Sequence, residues 1–294
     1  MTAVVLHFGA AAATNRCLAS LAASDYPALS VLVVDNSAGD DWRPAAGDRP
    51  LEVLRPPRNL GFAAGSNLAL ERLVCGNDRY ALLLNNDAEI EPRAIAALVR
   101  CAESDARIAL VGAQVRGEGV QLDHGAVTFG PYLVRRDQPP ATAAVDTEWV
   151  SGCCLLVRLA ALAHIGLLDD AFFLYGEDVD WCVRAHRAGC RVVHEPRAVA
   201  HHDADPPARP TARRAYFLAR NAILLARKHG SPGQRAATLA ACAALPLLSA
   251  ARRVVRREPL RPALWVLRGV VDGALGRPPR LGALGLGGAA GDAP

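Results

Sequence analysis

The sequence Leu82-Leu83-Leu84-Asn85-Asn86-Asp87 indicates both the fold class and the place where polar chemistry lies. An aliphatic run of this kind is typical of a buried parallel strand, and in open α/β sheets ligands bind just beyond the carboxyl ends of such strands. Asp87 would therefore lie where a metal-bound phosphate is held. Mg²⁺ and Mn²⁺ take oxygen ligands, often one or two carboxylates plus the oxygens of a diphosphate. The alternative is that Asn86 or Asp87 only caps the next helix or closes a turn.

Strand-like and helix-like segments alternate through the first half of the chain. Strands are predicted at residues 4–8, 30–34, 51–54 and 80–84, and helices at residues 14–23, 61–74 and 92–102. This order predicts an α/β protein with a doubly wound, mostly parallel sheet flanked by helices.

The second half is less regular. After a strand at 108–112, residues 114–146 show no helical period and predict loops or short hairpin strands. The predicted elements that follow are a strand at 149–157, a short helix at 159–165, a helix from Glu177 that ends at Gly189, a strand at 191–193, a Pro-rich linker at 206–210 and a helix at 211–228.

The composition is that of a globular protein with one main domain. Of the 294 residues, 51% are hydrophobic but only 5% aromatic, so Ala, Leu and Val must supply most of the core. The eight cysteines form no CxxC pair and lie mostly in apolar patterns, which predicts reduced, buried thiols of a cytosolic protein. The first eight residues pass directly into a strand pattern, so no secretion signal is expected.

The charge is distributed unevenly along the chain. Residues 1–206 carry 18 basic and 26 acidic side chains, a net charge of −8, whereas residues 207–294 carry 15 and 3, a net charge of +12. Such a basic end suits an anionic membrane surface or nucleic acid, and the scarcity of aromatic residues between the basic ones disfavours nucleic acid.

Residues 236–251 are apolar but contain Pro246, and they are shorter than the ~20 residues that a membrane span needs. We therefore expect helices that lie on the membrane; the alternative is that they pack on the preceding domain or form a dimer contact.

Two further polar segments follow predicted strands of the first half. Asp35 and Asn36 end the strand at 30–34, where an acidic residue can contact the ribose or base of a nucleotide, although an Asx-turn would place the same residues there. Residues 58–67 join a strand to a helix with glycines and small side chains. A nucleotide can approach such a backbone closely, and the helix N-terminus favours negative charge. Packing glycines explain this segment nearly as well.

Two polar segments of the second half are also candidates. Glu177, Asp178 and Asp180 lie at the start of a predicted helix. The helix dipole favours acidic residues there and accounts for one or two of them, but three are more than capping needs. His201 and His202 follow a strand pattern, and a histidine there could bind a metal or a diphosphate, or have only a packing or surface role.

Together these motifs resemble glycosyltransferase family 2, and within it the bacterial rhamnosyltransferase-like branch. The resemblance covers roughly residues 3–229. It rests on Val34-Asp35-Asn36, Asn59-Leu60-Gly61-Phe62, Asn85-Asn86-Asp87, Ser151-Gly152-Cys153-Cys154-Leu155, Phe173-Leu174-Tyr175-Gly176-Glu177-Asp178-Val179-Asp180, His201-His202 and Arg220-Asn221, in that order.

The resemblance implies a GT-A fold and the transfer of a sugar from a nucleotide diphosphate donor with inversion at the anomeric carbon. It assigns donor binding to Asp35, Asn36, Asn59, Gly61, Asn67, Asn85 and Asn86, a divalent metal, Mg²⁺ or Mn²⁺, to Asp87 and His201, and the catalytic base to Asp178. Glu177 and Asp180 would tune that base because clustered carboxylates raise one another's pKa, and Gly152 would lie on the acceptor side.

The chain departs from the family pattern at two places. Residues 7–13 lack the Asn-Tyr-Asn type of sequence that is common after the first strand, and Asp87 is the only acid of the metal motif. The expected organisation is a GT-A domain at 1–229, a basic apolar helical extension at 230–276 and a disordered tail at 277–294.

The resemblance favours dTDP-L-rhamnose as donor and a cell-envelope glycan or lipid-linked precursor as acceptor. The expected location is cytoplasmic, peripheral on the inner face of the membrane, without nucleic acid as a partner. A non-catalytic, membrane-attached scaffold on the same fold is the alternative, although a scaffold has no use for both Asp87 and Asp178. A nicotinamide-dependent oxidoreductase is disfavoured, because only Gly9 follows the first strand where a G-x-G-x-x-G sequence would be needed.

Overall fold

The computed structural model describes residues 1–9, 11–37, 42–44, 49–117, 123–136, 142–202, 212–255 and 260–286. The strands in these residues are β1 (Thr2–His7), β2 (Ser30–Asp35), β3 (Leu51–Leu54), β4 (Tyr80–Asn85), β5 (Ala88–Ile90), β6 (Ile108–Arg116), β7 (His124–Val127), β8 (Val134–Arg135), β9 (Val145–Asp146), β10 (Trp149–Val150), β11 (Cys154–Arg158) and β12 (Arg191–His202). The α-helices are α1 (Ala11–Ala22), α2 (Gly61–Val74), α3 (Ala94–Glu103), α4 (Leu162–Ile165), α5 (Glu177–Arg187), α6 (Ala212–His229), α7 (Pro232–Val255) and α8 (Arg261–Leu275).

The main sheet has the strand order β3-β2-β1-β4-β11-β6-β12-β5, and β9 pairs with β12. Strands β3, β2, β1 and β4 run parallel, as do β6 and β12, whereas β11 is antiparallel to both of its neighbours. In the parallel half, His7 pairs with Asp35 and Leu6 pairs with Asn85. The polar ends of three strands therefore meet at one edge of the sheet. The predicted doubly wound, mostly parallel sheet flanked by helices is confirmed.

Strand β4 is buried on both faces, which explains its aliphatic run. Leu82 and Leu84 pack in the cluster that contains residues of α1 and α3, and Leu83 packs on the opposite face with residues of α2 and α5. Side chains alternate along a strand, so consecutive leucines serve two different helix layers.

Two predicted strands differ from the observed elements. The segment 149–157 is divided into β10 and β11 by a turn that contains Gly152. The strand predicted at 191–193 continues to His202, with a register shift between Glu195 and Val199. Pro196 lies in that irregular stretch, and proline ends a predicted strand unless a bulge accommodates it. Gly189 follows α5 with φ +75°, as expected for a left-handed cap. The Pro-rich linker at 206–210 lies outside the described residues.

Helix α8 packs closely on α6. A Cβ atom added to Gly269 would lie 2.3 Å from the carbonyl oxygen of Tyr216, so glycine is needed where the two backbones meet. The Tyr216 hydroxyl donates a hydrogen bond to Asp272 Oδ2 at 2.9 Å. This part of the C-terminal extension packs on the helix that ends the predicted GT-A domain.

The residues after α8 are also packed. Leu284 and Leu286 are buried in one cluster with Phe173, Tyr216 and Phe217. The prediction of a disordered tail from residue 277 is therefore wrong for residues 277–286, because two leucines of this segment fill an apolar cluster on α6. Residues 287–294 lie outside the described part of the chain.

Candidate active site

Asp178 lies in the first turn of α5 and is oriented by backbone amides. Its Oδ2 accepts a hydrogen bond from the Gly152 N–H at 3.0 Å, and its Oδ1 accepts one from the Val179 N–H at 2.8 Å. Burial raises the pKa of Asp178, and the two amide hydrogen bonds oppose that rise. The turn between β10 and β11 thus presents a backbone donor to the carboxylate that the sequence identified as the candidate base.

Glu177 is buried beside Asp178. Its Oε2 has no hydrogen-bond partner, and burial followed by the charge of Asp178 raises the pKa of Glu177 to about 8. An unpaired carboxyl group in an apolar environment favours the neutral form, which removes a like charge from the neighbourhood of Asp178. Glu177 and Asp178 therefore lie side by side in the first turn of α5.

Asp180 occupies a different environment. Its side chain is fully buried and contacts Arg184 Nε, Lys228 Nζ and His229 Nε2, all at 2.7 Å. Burial alone would raise the pKa of Asp180, but hydrogen bonds from His229 and Lys228 and the nearby Arg184 outweigh it and hold that pKa well below its usual range. Asp180 joins α5 to the end of α6, and its charge is only a small contribution to the raised pKa of Glu177.

Asn36 and Asn59 shape the loop that the sequence predicts to bind the donor, through contacts with its backbone. Asn36 Nδ2 donates to Asn59 Oδ1 at 2.9 Å and to the Gly61 carbonyl at 3.1 Å, and Asn36 Oδ1 accepts from the Leu60 N–H at 2.8 Å. Gly61 has φ +77°, and a Cβ atom there would lie 2.5 Å from the Phe173 carbonyl oxygen. The segment therefore depends on glycine for its conformation and for its close contact with residue 173.

Two other predicted donor residues have distinct partners. Asp35, at the end of β2, is 4% exposed and forms an ion pair with Arg55 at 3.4 Å. Asn67 exchanges two hydrogen bonds with the backbone of Leu168, at 2.8 Å and 3.0 Å. Both polar groups of the Asn67 amide are used in that contact, so the structure gives Asn67 a role in joining α2 to residue 168 and does not bring it to the donor loop.

The end of β4 brings Asp87 next to a histidine. Asp87 Oδ1 lies 3.1 Å from His202 Nε2. His201 Nε2 instead lies 3.1 Å from Glu91 Oε1. Adjacent residues of a strand point to opposite faces, so only one of the two histidines of β12 can face Asp87. The structure therefore corrects the pairing: His202, and not His201, is the neighbour of Asp87.

Asn85 and Asn86 directly precede Asp87 in the sequence, and each has its own contacts. Asn86 Nδ2 donates to Thr14 Oγ1 at 2.9 Å and to the Phe8 carbonyl at 3.3 Å, which ties the end of β4 to α1 and to the loop after β1. The Asn85 N–H donates to the Cys153 carbonyl at 2.9 Å, which ties it to the turn that holds Gly152. The end of β4 is thus fixed between the two loops.

A buried group of Asp123, His124 and His194 is the one cluster in the described residues whose three ligand atoms lie close enough to share a cation. The His124 Nδ1–H donates to Asp123 Oδ1 at 2.8 Å, and burial followed by His124 lowers the pKa of His194 to about 4. The two rings stack with centroids 4.0 Å apart and planes inclined by 11°. A cation lies in the plane of each imidazole that binds it, about 2.1 Å from the nitrogen, so two stacked parallel rings do not fit one ion. The Asp123 carbonyl accepts from the Ser151 N–H at 2.8 Å, and the group supports the turn that holds Gly152.

Comparison with known proteins identifies the family. The sequence profile described as "Glycosyltransferase like family 2" matches residues 1–222. This chain belongs to that family. The fold agrees: the mannosyltransferase PcManGT of Pyrobaculum calidifontis, solved with GDP-Man and Mn²⁺, superimposes with a TM-score of 0.58 at 16% identity, over 93% of this chain and 86% of that one. The GT-A fold predicted from the sequence is confirmed.

Curated relatives of this family 2 glycosyltransferase include rhamnosyltransferases. It is 30% identical over 249 residues to the N-acetylglucosaminyl-diphospho-decaprenol L-rhamnosyltransferase of Mycobacterium tuberculosis, a match that covers 73% of this chain and 80% of the relative. It is 27% identical over 164 residues to rhamnosyltransferase WbbL of Escherichia coli, which covers 49% of this chain and 62% of that protein. The predicted resemblance to the rhamnosyltransferase-like branch is confirmed.

Sequence reasoning missed two features of this family 2 site. Trp149 precedes the Gly152 turn, and its indole N–H is buried without a hydrogen-bond partner although it lies near enough to lower the pKa of Asp178. His202 was recognised only as part of a pair with His201. Strand alternation would have separated the two histidines had the strand been predicted to reach residue 202.

Proposed function

We propose that this glycosyltransferase transfers L-rhamnose from dTDP-L-rhamnose, with inversion, to a hydroxyl group of a lipid-linked glycan precursor. The observation that carries the proposal is the Asp178 carboxylate, which two backbone amides orient at the start of α5. The choice of sugar and acceptor is supported by the relatives, whose names specify rhamnosyl transfer and, for the mycobacterial protein, L-rhamnose and a decaprenol-linked acceptor.

In this mechanism Asp178 accepts the proton of the acceptor hydroxyl as that oxygen attacks the anomeric carbon. Inversion requires a base on the face opposite the leaving diphosphate, and the attacked carbon has oxocarbenium character in the transition state. The amides of Gly152 and Val179 hold the carboxylate in one orientation. A raised pKa makes Asp178 a stronger base than a free aspartate.

We propose Asp87 and His202 as the protein ligands of a divalent cation, Mg²⁺ or Mn²⁺. A carboxylate and an imidazole suit Mn²⁺, and a cation of this kind commonly takes one or two protein ligands and completes its shell with diphosphate oxygens and water. When bound, the cation would stabilise the charge of the departing diphosphate. Support comes from the 3.1 Å separation of Asp87 Oδ1 and His202 Nε2 at the end of β4.

An assay of the purified full-length chain tests the proposed reaction. The chain is incubated with Mn²⁺ and a panel of nucleotide sugars, with and without a polyprenyl-diphosphate-linked N-acetylglucosamine acceptor. We expect dTDP release from dTDP-L-rhamnose, stimulated by the acceptor, and an anomeric configuration in the product opposite to that of the donor. Turnover of another nucleotide sugar would change the donor assignment, and no turnover of any sugar would favour the scaffold alternative.

We also propose that α7 and α8 bind an anionic membrane surface. Seven of the twelve exposed large apolar side chains in the described residues lie on these helices: Leu239, Leu245, Leu247, Leu248, Leu264, Val271 and Leu275. Arg235, Arg261, Arg277 and Arg280 are exposed on the same segment. Apolar helix faces edged by arginines bind at the membrane interface, where each basic residue adds about 1 kcal/mol. No helix in the described residues is long and apolar enough to span a membrane.

Flotation with liposomes tests the membrane proposal on the full-length chain. We expect binding to anionic vesicles at low salt that weakens at 1 M salt, where the Debye length falls from about 10 Å to about 3 Å. The double variant Leu247→Glu/Leu248→Glu should float less than the wild type. Val74→Glu is the matched control, because Val74 is similarly exposed on α2. Equal flotation of the wild type and the double variant would contradict the proposal.

A further inference from the structure

The turn between residues 170 and 176, directly before the Glu177–Asp178 pair, has an unusual backbone. Phe173 and Tyr175 have φ values of +62° and +68°, and they are the non-glycine residues with positive φ in the described part of the chain. Gly176 follows with φ +92°. Side chains with a Cβ atom rarely adopt this region, and such conformations persist only where surrounding contacts impose them.

Asn221 on α6 supplies those contacts. Its side chain is fully buried, and Nδ2 donates to the carbonyl oxygens of Phe172, Leu174 and Tyr175 at 3.0, 2.8 and 2.6 Å. Its Oδ1 accepts from Arg220 Nη1 at 2.8 Å, and the same guanidinium nitrogen donates to the Ala171 carbonyl at 2.8 Å. The Asn221 amide nitrogen therefore contacts three carbonyl oxygens of this turn, and the Asn221 amide oxygen is held by Arg220.

The same turn contacts both halves of the candidate site. On the donor side, the Phe173 carbonyl accepts from the Phe62 N–H at 2.7 Å, in the first turn of α2. On the other side, the turn continues into α5, where the Gly176 carbonyl accepts from the Asp180 N–H at 3.0 Å and closes the first helical turn around Asp178. A shift of the turn would move the donor loop and the base together.

We infer that Asn221 is a positioning residue: it holds the 170–176 turn so that the base Asp178 and the donor loop at Gly61–Phe62 keep their mutual geometry. The inference rests on the proposed function. Asn221 acts through the turn carbonyls: without an amide donor at this position the Leu174 and Tyr175 carbonyls lose their Asn221 hydrogen bond, and the Phe172 carbonyl retains the hydrogen bond from the Leu174 N–H at 2.7 Å.

The test compares Asn221→Ala with Tyr216→Phe. Tyr216 lies on the same helix, is equally buried and loses its hydrogen bond to Asp272 in the control, but its hydroxyl does not contact the turn. For Asn221→Ala we expect kcat to fall by about 10- to 100-fold and the donor KM to rise by about 3- to 10-fold, because a displacement of about 1 Å can cost 100-fold in rate. A merely structural loss would reduce the active fraction, and so lower kcat with donor KM unchanged, as expected for Tyr216→Phe.

Hydrogen exchange gives a second readout that does not require turnover. The amides of Phe62, Phe173 and Leu174 donate hydrogen bonds within or to the turn, and their exchange should accelerate in Asn221→Ala but not in Tyr216→Phe. If the wild type shows no transferase activity, the proposed function fails and exchange still tests the turn. If the wild type is active and Asn221→Ala matches Tyr216→Phe in donor KM and in exchange, Asn221 has no positioning role.

Discussion

The first turn of α5 holds two aspartates with opposite environments. Asp178 accepts hydrogen bonds from the backbone amides of Gly152 and Val179, and burial raises its pKa. Asp180, two residues later, is enclosed by Arg184, Lys228 and His229, and its pKa is well below its usual range. The difference shows that one acidic helix start can hold two kinds of carboxylate: Asp178 has no ion-pair partner in the described residues and is the proposed base, whereas Asp180 joins two helices.

The largest expected effect is on the transfer rate when Asp178 is replaced. Asp178→Asn keeps the size of the side chain but cannot accept the proton, so transfer should fall by about 100- to 10,000-fold while donor affinity changes little. Steady-state kinetics with varied donor would measure both. A loss of donor affinity as large as the loss of rate would mean that Asp178 binds substrate, and Glu177 would then be the first residue to test as the base.

The second prediction concerns Asp180, where we expect a loss of stability with little change in rate. Asp180→Asn leaves three basic groups around a buried position without their partner, and we expect a loss of about 3–5 kcal/mol in the free energy of unfolding. The rate per folded molecule should stay within about threefold of the wild type, because the substitution does not touch the Asp178 carboxylate.

Urea unfolding at several pH values checks this prediction. The pKa of Asp180 is lowered in the folded state, so its stabilising contribution is present above the ordinary pKa of an aspartate and is lost as pH falls through the folded value. The stability difference between the wild type and Asp180→Asn should therefore be full at pH 7 and shrink in acid. If Asp180→Asn has the same unfolding midpoint as the wild type at pH 7, Asp180 does not have the stabilising role that distinguishes it from Asp178.

The third prediction concerns His201 and His202, two adjacent residues of one type that also have different partners. His202 faces Asp87, whereas His201 faces Glu91. As a proposed metal ligand, His202 should matter at least as much as a group that only orients a ligand, so His202→Ala should raise the Mn²⁺ concentration needed for half-maximal activity by about 10- to 100-fold or more. His201→Ala is the matched control and should leave the Mn²⁺ dependence unchanged. The reverse result would return the metal assignment to His201.

The last effect is on the pH dependence of stability. Glu177 has a pKa raised to about 8 in the folded state, so its contribution is complete below its ordinary pKa and is lost as pH rises through about 8. Glu177→Gln removes this titration. Its unfolding midpoint relative to that of the wild type should therefore rise between pH 5 and pH 8. Curves that stay parallel over this range would show that Glu177 is already ionised at pH 5.

The fold followed from local sequence patterns. Residues 51–54 and 61–74 begin and end where the pattern predicted them, because each is one regular segment next to a backbone-specific residue: Pro50 precedes the strand and Gly61 begins the helix. The polar residues at strand ends could be grouped from the order of the strands, since parallel strands bring their carboxyl ends to one edge of a sheet. The irregular strand β12 was cut short because Pro196 interrupts its pattern, and that error concealed which histidine faces Asp87.

The sequence alone determined the family, the sheet and the candidate carboxylates, because these depend on residue type, spacing and the period of 2 or 3.6 residues. Only the tertiary structure decided which partner each polar side chain takes. Asp180 meets Lys228 and His229, and the strained turn meets Asn221, across about 50 residues of chain in each case. Contacts over such separations depend on how α5, α6 and α8 pack, and no local pattern records that packing.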